Sequence, residues 1–144
     1  MQNPPPVQTS SQPPVTAAKS STGLDENVAA VLAYPFGWIT GLIFVLLEKD
    51  SRFVRFHAVQ ALILGIIAAV FSIGSWIVWL VVAIISSQLP DAVGMLFLGV
   101  VGLVMFVVVM AIIVGWIIGM VKAYQHQYFK LPIIGNMAEK YSSK

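Results

Sequence analysis

The residues able to do chemistry crowd into one stretch, Leu47-Glu-Lys-Asp-Ser-Arg-Phe-Val-Arg-Phe-His-Ala-Val-Gln60. Arg52 and Arg55 stand three apart, on one face of a helix that Asp50 or Ser51 is placed to cap. Guanidinium groups beside aromatic rings suit lipid phosphates or an acidic partner at a membrane surface. His57 and Gln60 would form a polar pair at the mouth of a helix bundle. A plainer reading pairs Glu48 or Asp50 with Arg52 or Arg55 and lets His57 and Gln60 bond neighbouring helices. Residue by residue the plainer reading is favoured. As a block, Glu48, Asp50, Arg52, Arg55, Phe56, His57 and Gln60 are the candidate interaction or lipid-headgroup patch.

Other chemistry is poorly provided for. Cysteine is absent, and His57 and His126 are the only histidines, too few for a histidine metal cage. The chain has no HExxH, GxSxG, P-loop or GxGxxG motif. No Asp, Glu, Lys or Arg lies deep in an apolar run, so the usual mark of a proton relay or ion path is missing. The expectation is a non-enzyme without cofactor or metal. A net charge of +2 is too mild to imply nucleic acid.

The elements that must carry the patch are apolar helices. Of 144 residues 58% are hydrophobic and 10% charged, and the mean hydropathy is +0.89. A soluble domain of this size has too little interior to hide so much apolar surface. Charge-free runs cover Asn27–Leu47, Phe56–Pro90 and Ala92–Val121. Roughly 20 helical residues cross a hydrocarbon core. These runs predict an all-α integral membrane three-helix bundle, with spans at about 27–47, 58–86 and 94–121 over a domain of residues 24–144. Pro35 predicts a kink in the first span. The third helix is expected to continue past Lys122 through Tyr128 and to end at Pro132. A short interfacial helix follows, with Ile134, Met137, Ala138 and Tyr141 on its apolar side. Residues 1–23, rich in Pro, Ser and Gln, read as a disordered tail without a signal peptide.

Small residues recur every fourth position in each run, and Gly37, Gly41, Gly65, Gly115 and Gly119 are the candidate helix-packing sites. Trp76, Trp79 and Trp116 read as interfacial or lipid-facing aromatics. Three crossings put seven of the eight basic residues on the side of the first loop and C-terminus, and only Lys19 opposite. The positive-inside rule then makes the N-terminus external and the first loop and C-terminus cytoplasmic, in a multi-pass protein of the cytoplasmic membrane.

Leu24-Asp-Glu-Asn27, the element Phe53-Val-Arg-Phe-His-Ala58-x-Gln60 and Lys130-Leu-Pro-Ile-Ile-Gly135 resemble a family of small prokaryotic membrane proteins. That family is grouped with the Tic-twenty-like superfamily and is similar to a chloroplast protein-import component and to magnetosome membrane proteins. The resemblance covers roughly residues 24–140. It implies an integral membrane protein and, by analogy, an import or assembly role. The leading expectation is an accessory or assembly subunit, or a homo-oligomer, whose partners are membrane lipids and itself or another membrane protein. The alternative is an oligomeric pore or translocation component lined by Tyr34, Thr40, Gln60, Ser72 and Ser75.

Overall fold

Five helices lie among residues 18–132 and 134–142, which the computed structural model describes. They are α1 (Glu26–Leu32), α2 (Trp38–Leu47), α3 (Arg52–Ser86), α4 (Asp91–Tyr124) and α5 (Ile134–Ser142). No strand occurs among the described residues. The expected disordered tail lies outside the described residues up to position 17. Residues 18–23 are ordered: Ser20 N donates to Leu24 O at 2.8 Å, and Ser21 bonds the α2–α3 loop.

The Ser51 hydroxyl accepts from Val54 N at 3.2 Å and starts α3, and Pro90 and Asp91 open α4. At about 1.5 Å per residue, α3 and α4 are each roughly 50 Å long, and both are long and apolar enough to cross a membrane. They run antiparallel through the Ser87–Pro90 turn, where Gly94 lies against Ser86 O.

The first apolar run departs from expectation. It forms two short helices, because Pro35 supplies no N–H and Gly37 turns the chain at φ +60°. The break is a fold-back. Asn27 reaches Tyr124 and Tyr34 lies on Gly119, so α1 runs antiparallel to α4. Gly37 and Trp38 touch Gly65, and Gly41 touches Ala58 and Leu62, so α2 returns antiparallel to α3. Ser21, ahead of α1, donates to Glu48, after α2, at 2.9 Å. The two ends of the supposed first crossing therefore sit together. This is a correction to the expected three-helix bundle with a single kinked first span.

The far end of the third helix is also corrected. It stops at Tyr124, and His126 reverses the chain at φ 57°. The returning segment packs Leu131 and Ile134 on Leu64, and Ala138 on Phe56 and Val59, so α5 lies lengthwise along α3. Its buried stripe is Ile134, Gly135, Ala138 and Ser142, whereas Met137 and Tyr141 are exposed. Small side chains on that stripe allow the close approach.

Both returning segments pack on the same end of the α3–α4 pair. The core sits there, and the remainder of α3 and α4 shows Ile73, Trp76, Leu80, Leu96, Leu103 and Phe106 on its surface. A contiguous apolar surface of that kind is expected against lipid or another membrane protein.

The packing separates two glycines of similar sequence context. A Cβ on Gly65 would meet the Gly37 carbonyl carbon at 2.7 Å, backbone that cannot swing aside. A Cβ on Gly115 would meet nothing nearer than the Leu131 Cδ2 at 3.9 Å. Gly65→Ala is expected to lower stability by about 1–3 kcal/mol through overpacking. Gly115→Ala should be neutral or gain up to about 1 kcal/mol of helix propensity. Thermal denaturation in one detergent compares the two, and equal effects would refute the packing assignment.

Candidate functional site

Two polar groups on one face of α3 and one at the α1–α2 break meet inside the core. Tyr34, His57 and Gln60 are fully buried. His57 Nε2 lies 3.1 Å from the carbonyl oxygen of Gln127, which only accepts, so Nε2 carries the proton. Nδ1 is then an acceptor, and the Tyr34 hydroxyl donates to it at 3.1 Å. The same hydroxyl accepts from Gln60 Nε2 at 3.2 Å, while Gln60 Oε1 accepts from Leu131 N at 3.2 Å. The chain of bonds has one direction from Gln60 through Tyr34 and His57 to Gln127. It joins the α1–α2 turn, α3 and the segment after α4.

Helix α4 supports the same point. Trp116 Nε1 donates to Tyr34 O at 3.1 Å, and the Tyr34 ring lies flush on Gly119. Trp116, expected to be interfacial or lipid-facing, is half-buried and bonded to the helix break. Trp76 is exposed, and Trp79 is partly so. Thr40 Oγ1 donates to Ala33 O at 2.9 Å, which satisfies a carbonyl at the helix break. Above the network, Phe53 stacks on His126 at 4.2 Å and meets His57 and Tyr128 edge-on; Phe56 also meets both edge-on.

The carboxylates of the first loop do something other than pair with arginine. Glu48 is buried and accepts from Ser21 N, Ser21 Oγ, Asp50 N and Ser51 N at 2.8–3.1 Å. Asp50 Oδ2 lies 2.7 Å from the same Ser21 hydroxyl, whose single proton the two carboxylates share. Burial raises the Glu48 pKa, but the hydrogen bonds from Ser51, Ser21 and Asp50 outweigh it and hold the pKa below the ordinary 4.5. Basic–acidic contacts among the described residues include the Lys130–Glu139 ion pair at 2.8 Å and the approach of His126 Nε2 to Glu26 at 3.3 Å. Neither Arg52 nor Arg55 belongs to them, and Arg55 Nε is buried without a hydrogen-bond partner.

The predicted residues thus divide into separate places. Phe56, His57 and Gln60 lie in the core; Glu48 and Asp50 clasp the segment before α1; Arg52 faces a pocket at the end of α3. Gly37, Gly41 and Gly65 line the α2–α3 contact and Gly119 seats Tyr34, while Gly115 lines an apolar groove. Tyr34 is the central residue that the candidate patch omits. The available signal was a tyrosine beside a proline within an apolar run, with two further polar groups on a helix needing partners. No group of three or more His, Asp or Glu residues able to hold a metal occurs among the described residues.

The magnetosome magnetite crystal formation protein family matches this chain over residues 22–138, and the chain belongs to that family. A UPF0132 membrane protein of Methanocaldococcus jannaschii is 44% identical over 124 residues, covering 86% of this chain and 94% of the relative. A second from the same organism is 38% identical over 83% of this chain and 71% of its own length. One from Archaeoglobus fulgidus is 38% identical over 81% of this chain and 95% of its own. No solved structure matches the chain.

Removing the Tyr34 hydroxyl leaves His57 Nδ1 and a Gln60 proton unpaired. Each such orphan costs about 1–3 kcal/mol, more than the roughly 0.6 kcal/mol of an average interhelical bond in lipid. Tyr34→Phe is expected to be markedly destabilised, and Thr40→Val less so. Equal melting of Tyr34→Phe and the parent would remove the network from its central place.

Glu48 generates a pH effect. Its lowered folded pKa gives stability that is complete above the ordinary 4.5 and is lost as pH falls through the folded value. Glu48→Gln should reduce stability at neutral pH and flatten the acid limb of the melting-temperature profile. A parallel, undiminished acid limb would show that another carboxylate carries it.

Proposed function

We propose that the protein is a non-enzymatic accessory or assembly subunit, or a homo-oligomer, of the cytoplasmic membrane, and that it crosses the bilayer twice. In this reading α3 and α4 span, and residues 18–48 form a re-entrant hairpin that enters and leaves at one face. The observation that carries it is the clasp of Ser21 with Glu48, while the hairpin's turn reaches only as far along α3 as Gly65. A broken helix in the apolar layer is tolerable where protein satisfies its backbone, as Thr40 and Trp116 do here.

A subunit role follows from what is occupied and what is bare. Tyr34, His57 and Gln60 spend their polar groups on one another and on backbone. The flanks of α3 and α4 beyond the hairpin are apolar and uncovered. They offer lateral association, not chemistry. A pore or import component of the Tic-twenty-like kind would need polar side chains facing a path, but Tyr34, Thr40, Gln60 and Ser75 bond within the chain. The family description names magnetite crystal formation. On this chain the turn opposite the hairpin has one carboxylate, Asp91, which gives little to hold iron or mineral.

Basic residues near the spans orient the hairpin end to the cytoplasm. Single cysteines at Lys19, Lys49 and Gln88, in a chain free of native cysteine, report the sides. In intact cells an impermeant thiol reagent should label only Gln88→Cys. Opposite labelling of Lys19→Cys and Lys49→Cys would overturn the hairpin. A fourth variant, Leu103→Cys, should crosslink within the membrane to a second copy or to a companion protein. Failure to crosslink, with no co-purifying protein, would overturn the subunit role.

A further inference from the structure

The base of α3 holds a pocket of about 260 Å³ lined by Arg52, Phe56, Tyr128, Lys130, Glu139 and Ser142. Three elements build it: the first turn of α3, the segment after α4, and the last turn of α5. Its charges are unevenly used. Lys130 and Glu139 pair across the rim at 2.8 Å, and the Ser142 hydroxyl is tied to Glu139 O at 3.1 Å. Arg52 is exposed and has no ion-pair or hydrogen-bond partner among the described residues. The Tyr128 hydroxyl is also without a partner there, while its ring is fixed edge-on to Phe53 and Phe56.

Arg52 and Glu26 both act on Tyr128. Burial and the Glu26 carboxylate raise its pKa, and the Arg52 guanidinium opposes them. The phenol is therefore a donor at neutral pH, within electrostatic reach of Arg52. A guanidinium fork, a phenol and an ammonium converge on one small volume with an aromatic floor. That donor set fits a phosphodiester. Glu139 adds an acceptor, since its carboxylate takes hydrogen bonds from a hydroxyl or primary ammonium, whereas a trimethylated nitrogen has no proton to donate to it.

We propose that this pocket binds the headgroup of a membrane phospholipid, Arg52 and Tyr128 holding the phosphate and Glu139 selecting a headgroup that donates hydrogen bonds. The inference rests on the membrane reading above and names the lipid partner of its hairpin end. A lipid is the source because the pocket lies at the end of two helices long enough to cross a membrane. Phosphatidylglycerol and phosphatidylethanolamine should be favoured over phosphatidylcholine.

The test uses the full chain in nanodiscs of mixed phosphatidylglycerol and phosphatidylcholine, extracted for native mass spectrometry. The protein should retain one phosphatidylglycerol with at least tenfold preference. Arg52→Gln should lose that preference, Arg52→Lys should keep part of it, and the exposed Lys49→Gln should be unaffected. Glu139→Gln should narrow the gap between the two lipids. Equal loss in Lys49→Gln would reduce the effect to surface charge and overturn the site. Equal retention of both lipids by the parent would overturn it too. Displacement of the lipid by millimolar glycerol phosphate would identify a soluble phosphate ligand and overturn the lipid assignment. Failure of the chain to enter nanodiscs at all would instead refute the membrane reading, so the two failures are separable.

Discussion

A polar backbone turn placed among apolar side chains must have its hydrogen-bonding groups met from within the protein, and that constraint organises this molecule. Pro35 and Gly37 open the first apolar run into two helices, and the carbonyls freed at the break need partners from elsewhere in the chain. Thr40 answers Ala33, and Trp116 answers Tyr34. The Tyr34 side chain brings its own hydroxyl into the same place, which in turn requires His57 and Gln60. Those two bring the backbone of Gln127 and Leu131 inward. One broken helix thus accounts for polar residues on three other segments. Glycines at 37, 41, 65 and 119 let the segments come close enough for the bonds to form.

The long helices were legible because their cause is local. Uninterrupted apolar runs and the Ser51 cap announce α3 and α4 without reference to anything else in the chain. Pro35 was legible too, as a disturbance of unknown size. A kink and a fold-back begin with the same missing hydrogen bond, and the difference lies in which partners wait at the turn. Trp116 and Thr40 stand 76 positions apart, so no local pattern places both at one break. The same holds for Glu48. Its nearest opposite charges in sequence are Lys49 and Arg52, yet it takes backbone N–H groups and Ser21, 27 positions away. Candidate residues picked from one loop therefore separated in space, while Tyr34 entered the centre from another run.

The division of labour along α3 follows from the same economy of polar groups. Its first third carries arginines, His57 and Gln60 and is covered by both returning segments. The rest has only serines among apolar residues, and Ser75 bonds back to Ser72 O at 2.7 Å. Beyond Phe71 neither returning segment covers that part, and the chain packs only α4 along it. Polar side chains recruit neighbours, and the bare length of the α3–α4 pair is left for whatever surrounds it.

Charge gives an independent reason to favour two crossings over three. With a spanning first helix, Lys19 sits alone against seven basic residues on the other side, a small exception to the orienting rule. With the hairpin, the backbone of Lys19 pairs with that of Asp25 beside the Ser21–Glu48 clasp, which puts Lys19 at the same end as Lys49, Arg52, Arg55, Lys122, Lys130 and Lys140. The opposite end then carries Asp91 and no basic residue among the described ones. A topology drawn from hydrogen bonds thereby puts the described basic residues all on one side, although those basic residues played no part in drawing it. That agreement is what a re-entrant segment predicts: it is apolar enough to be counted as a span, yet it returns its flanking charges to the side from which it came.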